Sequence, residues 1–445
     1  MEKDKVFENC KTIYQIVSED RQTSIKRVVK ETGATASFRH YTFIDRKGNS
    51  IVKRIDNDIA EEIIKEALKD DNLSSALVVI EDPEMDARID FEDKALLENL
   101  YTSTGDKFKY HQNSIKSYKQ GNGKTIISTH ISPEGRCNLK CPYCSVAYRT
   151  TFDRIEFDTI KKYIGILKER GLQAVILTGG GEPTLYPQIN ELIEMIHGDY
   201  GLDLAMITNG TTLDRIHPSN RNKFQWLRVS VNIFKGWEEK LKIPAEFIAS
   251  DTVIGFSYIM TCEHDFTEDA ITQKEIISKI IKLMDRSSAR YLRLLPNCLV
   301  KGKKFNYQHK AIDNILSFFR DKRIFHQLKT HEIPGFEICY QSYFRPYLSE
   351  ERNPWNGEAG CVFPCDSVVL NDSIKRFDKK FALCEPDRIG EYLDHKIKPN
   401  FTPPIDCHGC VFVNNNKLIK KHISNFSSDQ KEALRGANSL HKNFV

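Results

Sequence analysis

Three cysteines stand in the run Cys137-Asn138-Leu139-Lys140-Cys141-Pro142-Tyr143-Cys144, so one short loop can present three thiolates to one inorganic cluster. A cubane [4Fe–4S] cluster has four irons, each usually held by a cysteine thiolate. Three ligands leave one iron open to a small molecule, which points to chemistry rather than simple electron storage. Closely spaced cysteines also suit tetrahedral zinc, but zinc wants a fourth Cys or His nearby. The next histidine downstream is His197, and His130 upstream sits in a strand-like run.

A second group of thiols lies toward the C-terminus: Cys361, Cys365, Cys384, Cys407 and Cys410, the last two within Cys407-His408-Gly409-Cys410. Five thiols after a segment that already suits one cluster suggest a second metal site, of iron–sulfur or zinc type. His408 reads as a spacer. Cys10, Cys262, Cys298 and Cys339 stand alone in apolar or mixed surroundings and read as small buried hydrophobes.

The elements that must position these groups fall into three segments. Residues 1–120 read as a separate α+β domain. Tyr41–Ile44 and Ile51–Ile55 are strand-like runs around a hairpin turn, and Ala76–Ile80 is a short buried strand. From Asp58 to Lys69, Ile59, Ile63, Ile64 and Leu68 keep a helical period behind an Asp58 N-cap. The polar stretch from Lys107 to Lys124, with Gly121 and Gly123, reads as a linker.

In residues 121–320 the strand-like runs Thr125–Ile131, Ala174–Leu177, Leu204–Ile207, Leu227–Val231, Val253–Met260 and Tyr291–Leu295 alternate with helical stretches. Alternation at this spacing implies parallel strands joined by crossover helices. The expected fold is α/β, a partial (β/α)6 TIM-like barrel, short of the eight units of a closed one. Beyond Phe319 the alternation stops, and residues 321–445 form a cysteine-rich C-terminal domain. There the runs Ser367–Leu370 and Phe381–Cys384 read as a hairpin.

With 445 residues, 40% hydrophobic and 28% charged, the chain reads as a multidomain globular protein. No apolar run is long enough to span a bilayer, and no secretory segment follows Met1, so a cytoplasmic location is expected. Twelve cysteines in that compartment read as metal ligands or catalytic groups rather than disulfides. A net charge of +4 is too weak to imply a nucleic-acid partner.

Barrels of this kind carry their reactive groups on loops at the C-terminal ends of the strands. The three-cysteine loop follows the first strand. The second strand ends in Thr178-Gly179-Gly180-Gly181-Glu182-Pro183, where glycines let a ligand approach the backbone and Glu182 offers an acceptor to a cation. The third and fourth strands end near Asn209, Ser230 and Asn232.

At this point residues 125–300 resemble the radical S-adenosylmethionine (radical SAM) superfamily, through Cys137, Cys141 and Cys144, the aromatic Tyr143, and Gly179-Gly180-Gly181-Glu182-Pro183. The resemblance implies a [4Fe–4S] cluster on the three cysteines whose open iron chelates the amine and carboxylate of S-adenosylmethionine. It places Gly180 to Glu182 at the methionyl amino group, with Gly179 in the same cofactor-binding loop, and Tyr143 near the adenine. Asn209, Ser230 and Asn232 would lie near the ribose and carboxylate, with Arg293 and Leu295 of the sixth strand near the adenine. The implied chemistry is reductive cleavage to a 5′-deoxyadenosyl radical that takes hydrogen from an unactivated carbon, with a flavodoxin or ferredoxin as reductant.

The C-terminal segment resembles the twitch form of the SPASM auxiliary-cluster domain. That resemblance implies one further [4Fe–4S] cluster on Cys384, Cys407, Cys410 and either Cys361 or Cys365, with Cys361 preferred. A fully ligated cluster would accept or relay electrons, favouring an oxidative outcome on a peptide or small-metabolite substrate. Two other readings stand beside this one: a radical SAM enzyme modifying RNA, and a non-catalytic zinc-stabilised binding protein. The basic run Lys417–His422 reads as a solvated helix face.

Overall fold

A computed structural model of the chain describes residues 12–16, 38–45, 50–56, 73–80, 101–103, 105–146, 153–231, 236–261, 267–319, 321–371, 379–426 and 441–445. The chain forms two compact units, Met1–Ala95 and Leu96–Val445. In the first, β1 (Thr12–Ile16), β2 (Phe38–Asp45), β3 (Ser50–Asp56) and β4 (Leu73–Ile80) pair antiparallel in the order β1-β4-β2-β3. The expected hairpin is β2–β3, in register from Phe38↔Asp56 to Ile44↔Ser50. The helix expected from Asp58 to Lys69 lies outside the described residues.

The second unit is built on one nine-stranded sheet. In chain order its strands are β5 (Ser128–Ile131), β6 (Ala174–Leu177), β7 (Asp203–Thr208), β8 (Phe224–Ser230), β9 (Val253–Met260), β10 (Tyr291–Pro296), β11 (Ile324–His326), β12 (Tyr347–Arg352) and β13 (Ala359–Phe363). The spatial order is β11-β10-β9-β8-β7-β6-β5-β12-β13, an open sheet with unpaired ends rather than a closed barrel. Every neighbouring pair from β12 to β11 is parallel, and only β13 runs antiparallel.

The six expected strands are all present, and the parallel run goes further than expected. A helix, Lys303–Phe318, leads into β11, whose three residues are too few to display a period. β12 then returns beside β5, with Tyr347 opposite His130 and Leu348 opposite Ile131. The cysteine-rich segment thereby continues the barrel sheet at the edge that carries the three-cysteine loop.

Alternation along the strands sorts the side chains. Val175, Leu177, Leu204, Met206, Leu227 and Val229 belong to the main core, while Ala174, Ile176, Ala205 and Trp226 form a second cluster closed by Phe444. Helix α1 (Gln112–Gln120) and helix α2 (Phe157–Glu169) both pack into this unit. α2 buries Ile160, Tyr163, Ile164 and Leu167, the i, i+3, i+4, i+7 stripe of a helix laid on a sheet, each contributing about 1.5–3 kcal/mol.

The stretch expected as a linker is α1 and the turn before it. Few of its residues are apolar, which hid it, but Phe108 meets Phe344 edge-on and Tyr118 packs on Tyr343 and Phe344. α1 ends where Gly121 turns left-handed (φ 65°), which costs glycine nothing.

Candidate cofactor and substrate site

The loops at the C-terminal ends of β5 to β10 surround one cavity of about 390 Å3, lined among others by Cys137, Cys141, Tyr143 and Cys144. Gly179, Gly180, Gly181, Glu182, Asn209, Ser230, Arg293 and Leu295 line it too. Asn232 lies outside the described residues. Two backbone hydrogen bonds join the first two loops: the Gly181 N–H donates to the Glu134 carbonyl and the Glu182 N–H to the Arg136 carbonyl, both at 2.9 Å. Buried Glu134 fixes the entry to the cysteine loop by accepting from Arg136 N, Nε and Nη2 at 2.9, 3.0 and 2.8 Å.

The glycines answer first to the protein itself. A Cβ at Gly181 would stand 2.0 Å from the Arg136 carbonyl oxygen, and one at Gly180 would stand 1.6 Å from Glu350 Oε1. The Gly180 N–H donates to Ser132 Oγ at 2.6 Å. Glu350, on β12, is buried, and burial pushes its carboxyl up to about 7 against the hydrogen bond from Ser132. No sequence pattern marks Glu350, since it sits in a strand that pairs at long range.

Glu182 is a brace. Its buried carboxylate accepts from Thr184 N and Oγ1 at 3.1 and 2.7 Å, from Thr208 Oγ1 at 2.6 Å and from Asn209 N at 2.7 Å. Burial raises its pKa, and these four donors oppose the rise. Glu182, expected to offer an acceptor to a cation, takes three of these bonds on Oε1 and one on Oε2, and so ties the glycine loop to the end of β7. Asn209 is similarly engaged, donating through Nδ2 to Asn138 Oδ1 at 2.8 Å and approaching Cys137 Sγ at 3.8 Å.

The donor set suits an iron–sulfur cluster. Cys137 Sγ also faces the Leu139 N–H at 3.4 Å, and the Cys144 N–H closes a turn onto the Cys141 carbonyl at 3.1 Å. Burial, with the neighbouring Cys144 and Cys137, pushes the Cys141 thiol up to about 11. Loading a metal would thus release protons. Among the described residues no three His, Cys, Asp or Glu are gathered as around a single ion. Cys137, Cys141 and Cys144 all line the one cavity. Arg293 is held by Ser257 Oγ at 3.0 Å and Gln327 Oε1 at 2.7 Å.

The C-terminal thiols are divided differently from expectation. Cys339, Cys365, Cys407 and Cys410 line one small second cavity, with Pro364, Phe401 and Phe412. Burial raises the Cys339, Cys365 and Cys407 thiols; Cys410 raises all three further, and Cys339 raises Cys365 and Cys407. Cys361 and Cys384 lie apart from that cavity. The Val362 N–H donates to the Cys384 carbonyl at 3.2 Å, which sets Cys384 beside β13 and its residue Cys361. The reason is the hairpin: it is β12–β13, not Ser367–Leu370 with Phe381–Cys384, and Val368–Leu370 is a short 3-10 turn.

Cys339, taken from the sequence as a small hydrophobe, is the thiol that sequence reasoning missed. It precedes Cys365 with no spacing signal, and only the fold brings it in. Cys298 also lines the main cavity, whereas Cys10 and Cys262 lie outside the described residues. Ser367, Val411 and Phe412 line both cavities, so a single layer of residues separates them.

The inner wall carries a further polar group. His130 Nδ1 lies 3.3 Å from Asp366 Oδ2, while the buried His130 Nε2 has no hydrogen-bond partner among the described residues. Although burial opposes it, His130 and Arg345 hold the Asp366 carboxyl well below the usual range. Burial lowers the His130 pKa, and the contact with Asp366 opposes that fall.

The three thiols and the glycine loop thus share one rim of an open, mostly parallel sheet. Residues 131–243 match the family model described as the radical SAM superfamily, so the chain carries a radical SAM domain. The GTP 3′,8-cyclase of Chlorobaculum tepidum is 35% identical over 95 residues, 21% of this chain and 28% of that protein. A probable GTP 3′,8-cyclase of Pyrococcus abyssi is 37% identical over 92 residues, 20% of this chain and 29% of that protein. The chain thus spans less than a third of the length of these curated relatives.

Among solved structures, Streptococcus suis SuiB bound to precursor peptide SuiA has 13% identity and a TM-score of 0.41, over 75% of this chain and 83% of that one. The anSMEcpe structure with bound AdoMet and Cp18Cys peptide has 15% identity and a TM-score of 0.41, over 61% and 81%. No helix among the described residues is long and apolar enough to cross a membrane.

Proposed function

We propose that the chain binds a [4Fe–4S] cluster on Cys137, Cys141 and Cys144 with S-adenosylmethionine beside it, and oxidatively modifies a peptide or small metabolite. When bound, this pair supplies a 5′-deoxyadenosyl radical that removes hydrogen from a substrate carbon. The observation that carries the reading is the convergence of the three thiols, the glycine loop and the ends of β7, β8 and β10 on one cavity.

The chain's own residues position and enclose. Gly179 to Gly181 keep the rim free of side chains, so backbone groups can meet the methionyl end. Glu182 holds that segment against β7 through its four donors. Tyr143, Ser230, Arg293 and Leu295 would contact the adenosyl part, and Asn209 braces the cysteine loop.

Cys339, Cys365, Cys407 and Cys410 would hold a second [4Fe–4S] cluster. It would lie across the Ser367, Val411 and Phe412 wall from the substrate, a layout that suits removal of an electron from substrate. A flavodoxin or ferredoxin would supply the reducing electron, and residues 1–120 would bind a substrate or partner. Anaerobic reconstitution with iron and sulfide tests this reading. A brown protein absorbing near 400 nm is expected, and a colourless zinc protein would end it.

A further inference from the structure

We propose that the main cavity holds a subsite for an anionic oxygen group of the substrate, a carboxylate or a phosphate, centred on Arg345. This rests on the reading of that cavity as the place where substrate meets cofactor. Arg345 is 5% exposed, and its guanidinium carbon stands 5.0 Å from the centre of the Phe412 ring. It lines the cavity, yet no described residue accepts a hydrogen bond from its side chain. A buried guanidinium carries five N–H donors, and leaving them without acceptors is costly.

Asp366 acts on Arg345 through charge alone and accepts no hydrogen bond from it. Asp366 Oδ2 faces His130 Nδ1 at 3.3 Å, and its Oδ1 receives the Ser367 hydroxyl at 3.0 Å. The other acidic group on the wall, Glu182, is filled by four donors. Across the same Phe412 ring stands a second cation, Lys329 Nζ, 5.2 Å from its centre. The lining holds four cationic side chains, Arg228, Arg293, Lys329 and Arg345, against the two carboxylates Glu182 and Asp366. An incoming carboxylate or phosphate supplies the missing acceptors in the planar geometry that guanidinium matches. His130 Nε2, unpartnered among the described residues, can hydrogen-bond the same ligand.

The test uses the reconstituted, S-adenosylmethionine-saturated protein, titrated calorimetrically with pyrophosphate and, separately, with succinate. One of the two is expected to bind saturably, and which one binds distinguishes phosphate from carboxylate. In Arg345→Gln its dissociation constant should rise by ~10-fold or more, the scale expected for one charge-assisted hydrogen bond. Arg345→Lys keeps the charge without the fork and should fall between. If Arg345→Gln loses iron, Arg345→Lys and Lys329→Gln decide the matter. No saturable binding of either anion, binding unchanged in the variants, or displacement by S-adenosylmethionine would overturn the proposal. Release of 5′-deoxyadenosine on reduction of the same sample reports on the radical chemistry separately, so either can fail without the other.

Discussion

Gly180 faces the buried carboxylate of Glu350 so closely that a Cβ on it would stand 1.6 Å from Oε1. The two residues come from the loop after β6 and from β12, 170 positions further along the sequence. Ser132 joins them, accepting the Gly180 N–H and donating to Glu350. The glycine-rich loop is thus clamped by the C-terminal segment as well as by the barrel.

Gly180→Ala should therefore displace the loop. Overpacking of this kind costs about 1–3 kcal/mol, and S-adenosylmethionine binding should weaken with it. The double variant Gly180→Ala with Glu350→Ala should recover part of both effects, because the two side chains would compete for the same space. Thermal unfolding and ligand titration read the two effects.

Glu350 also sets a pH dependence. Its carboxyl titrates at about 7 in the native protein against an ordinary value of 4.5. Between these values the folded state binds more protons than the unfolded one, so stability falls as pH rises through that window. Glu350→Gln should be more stable than wild type by about 3 kcal/mol at pH 8 and by about half as much at pH 5.5. Denaturant unfolding at the two pH values measures the gap, and a gap that widens toward acid would contradict the assignment.

Glu182→Gln tests the brace. One amide oxygen cannot serve the donors of Thr184, Thr208 and Asn209 together. Stability should drop by about 3 kcal/mol, the cost of stranding buried donors. The iron site should loosen in parallel, read as faster bleaching of the cluster absorbance by a chelator.

The thiol sets predict an iron count. Two clusters give about eight irons per chain. Cys339→Ser should reduce this to about four, while Cys361→Ala and Cys384→Ala should leave it near eight. Iron loss from Cys384→Ala with none from Cys339→Ser would restore the ligand set expected from the sequence.

The barrel was legible because β6 to β10 are short, mostly apolar runs that alternate with helical stretches, a pattern that local sequence carries. The cysteine loop and the glycine loop were legible for the same reason, each being a short contiguous motif. What escaped was long-range. β11 is three residues long, β12 pairs across the sheet with β5, and Cys339 reaches Cys365, Cys407 and Cys410 only through the fold. Glu182 shows a further gap. Its position in the glycine loop could be read from sequence, but its four donors could not, because two of the residues that supply them, Thr208 and Asn209, stand at the end of β7.

The most direct test of the central claim is anaerobic reduction of the reconstituted protein with dithionite in the presence of S-adenosylmethionine, followed by chromatography for 5′-deoxyadenosine. Wild type should release it, and Cys141→Ala, which removes one ligand of the three, should release none. A protein that holds about eight irons yet yields no 5′-deoxyadenosine, or a Cys141→Ala variant that yields as much as wild type, would contradict it.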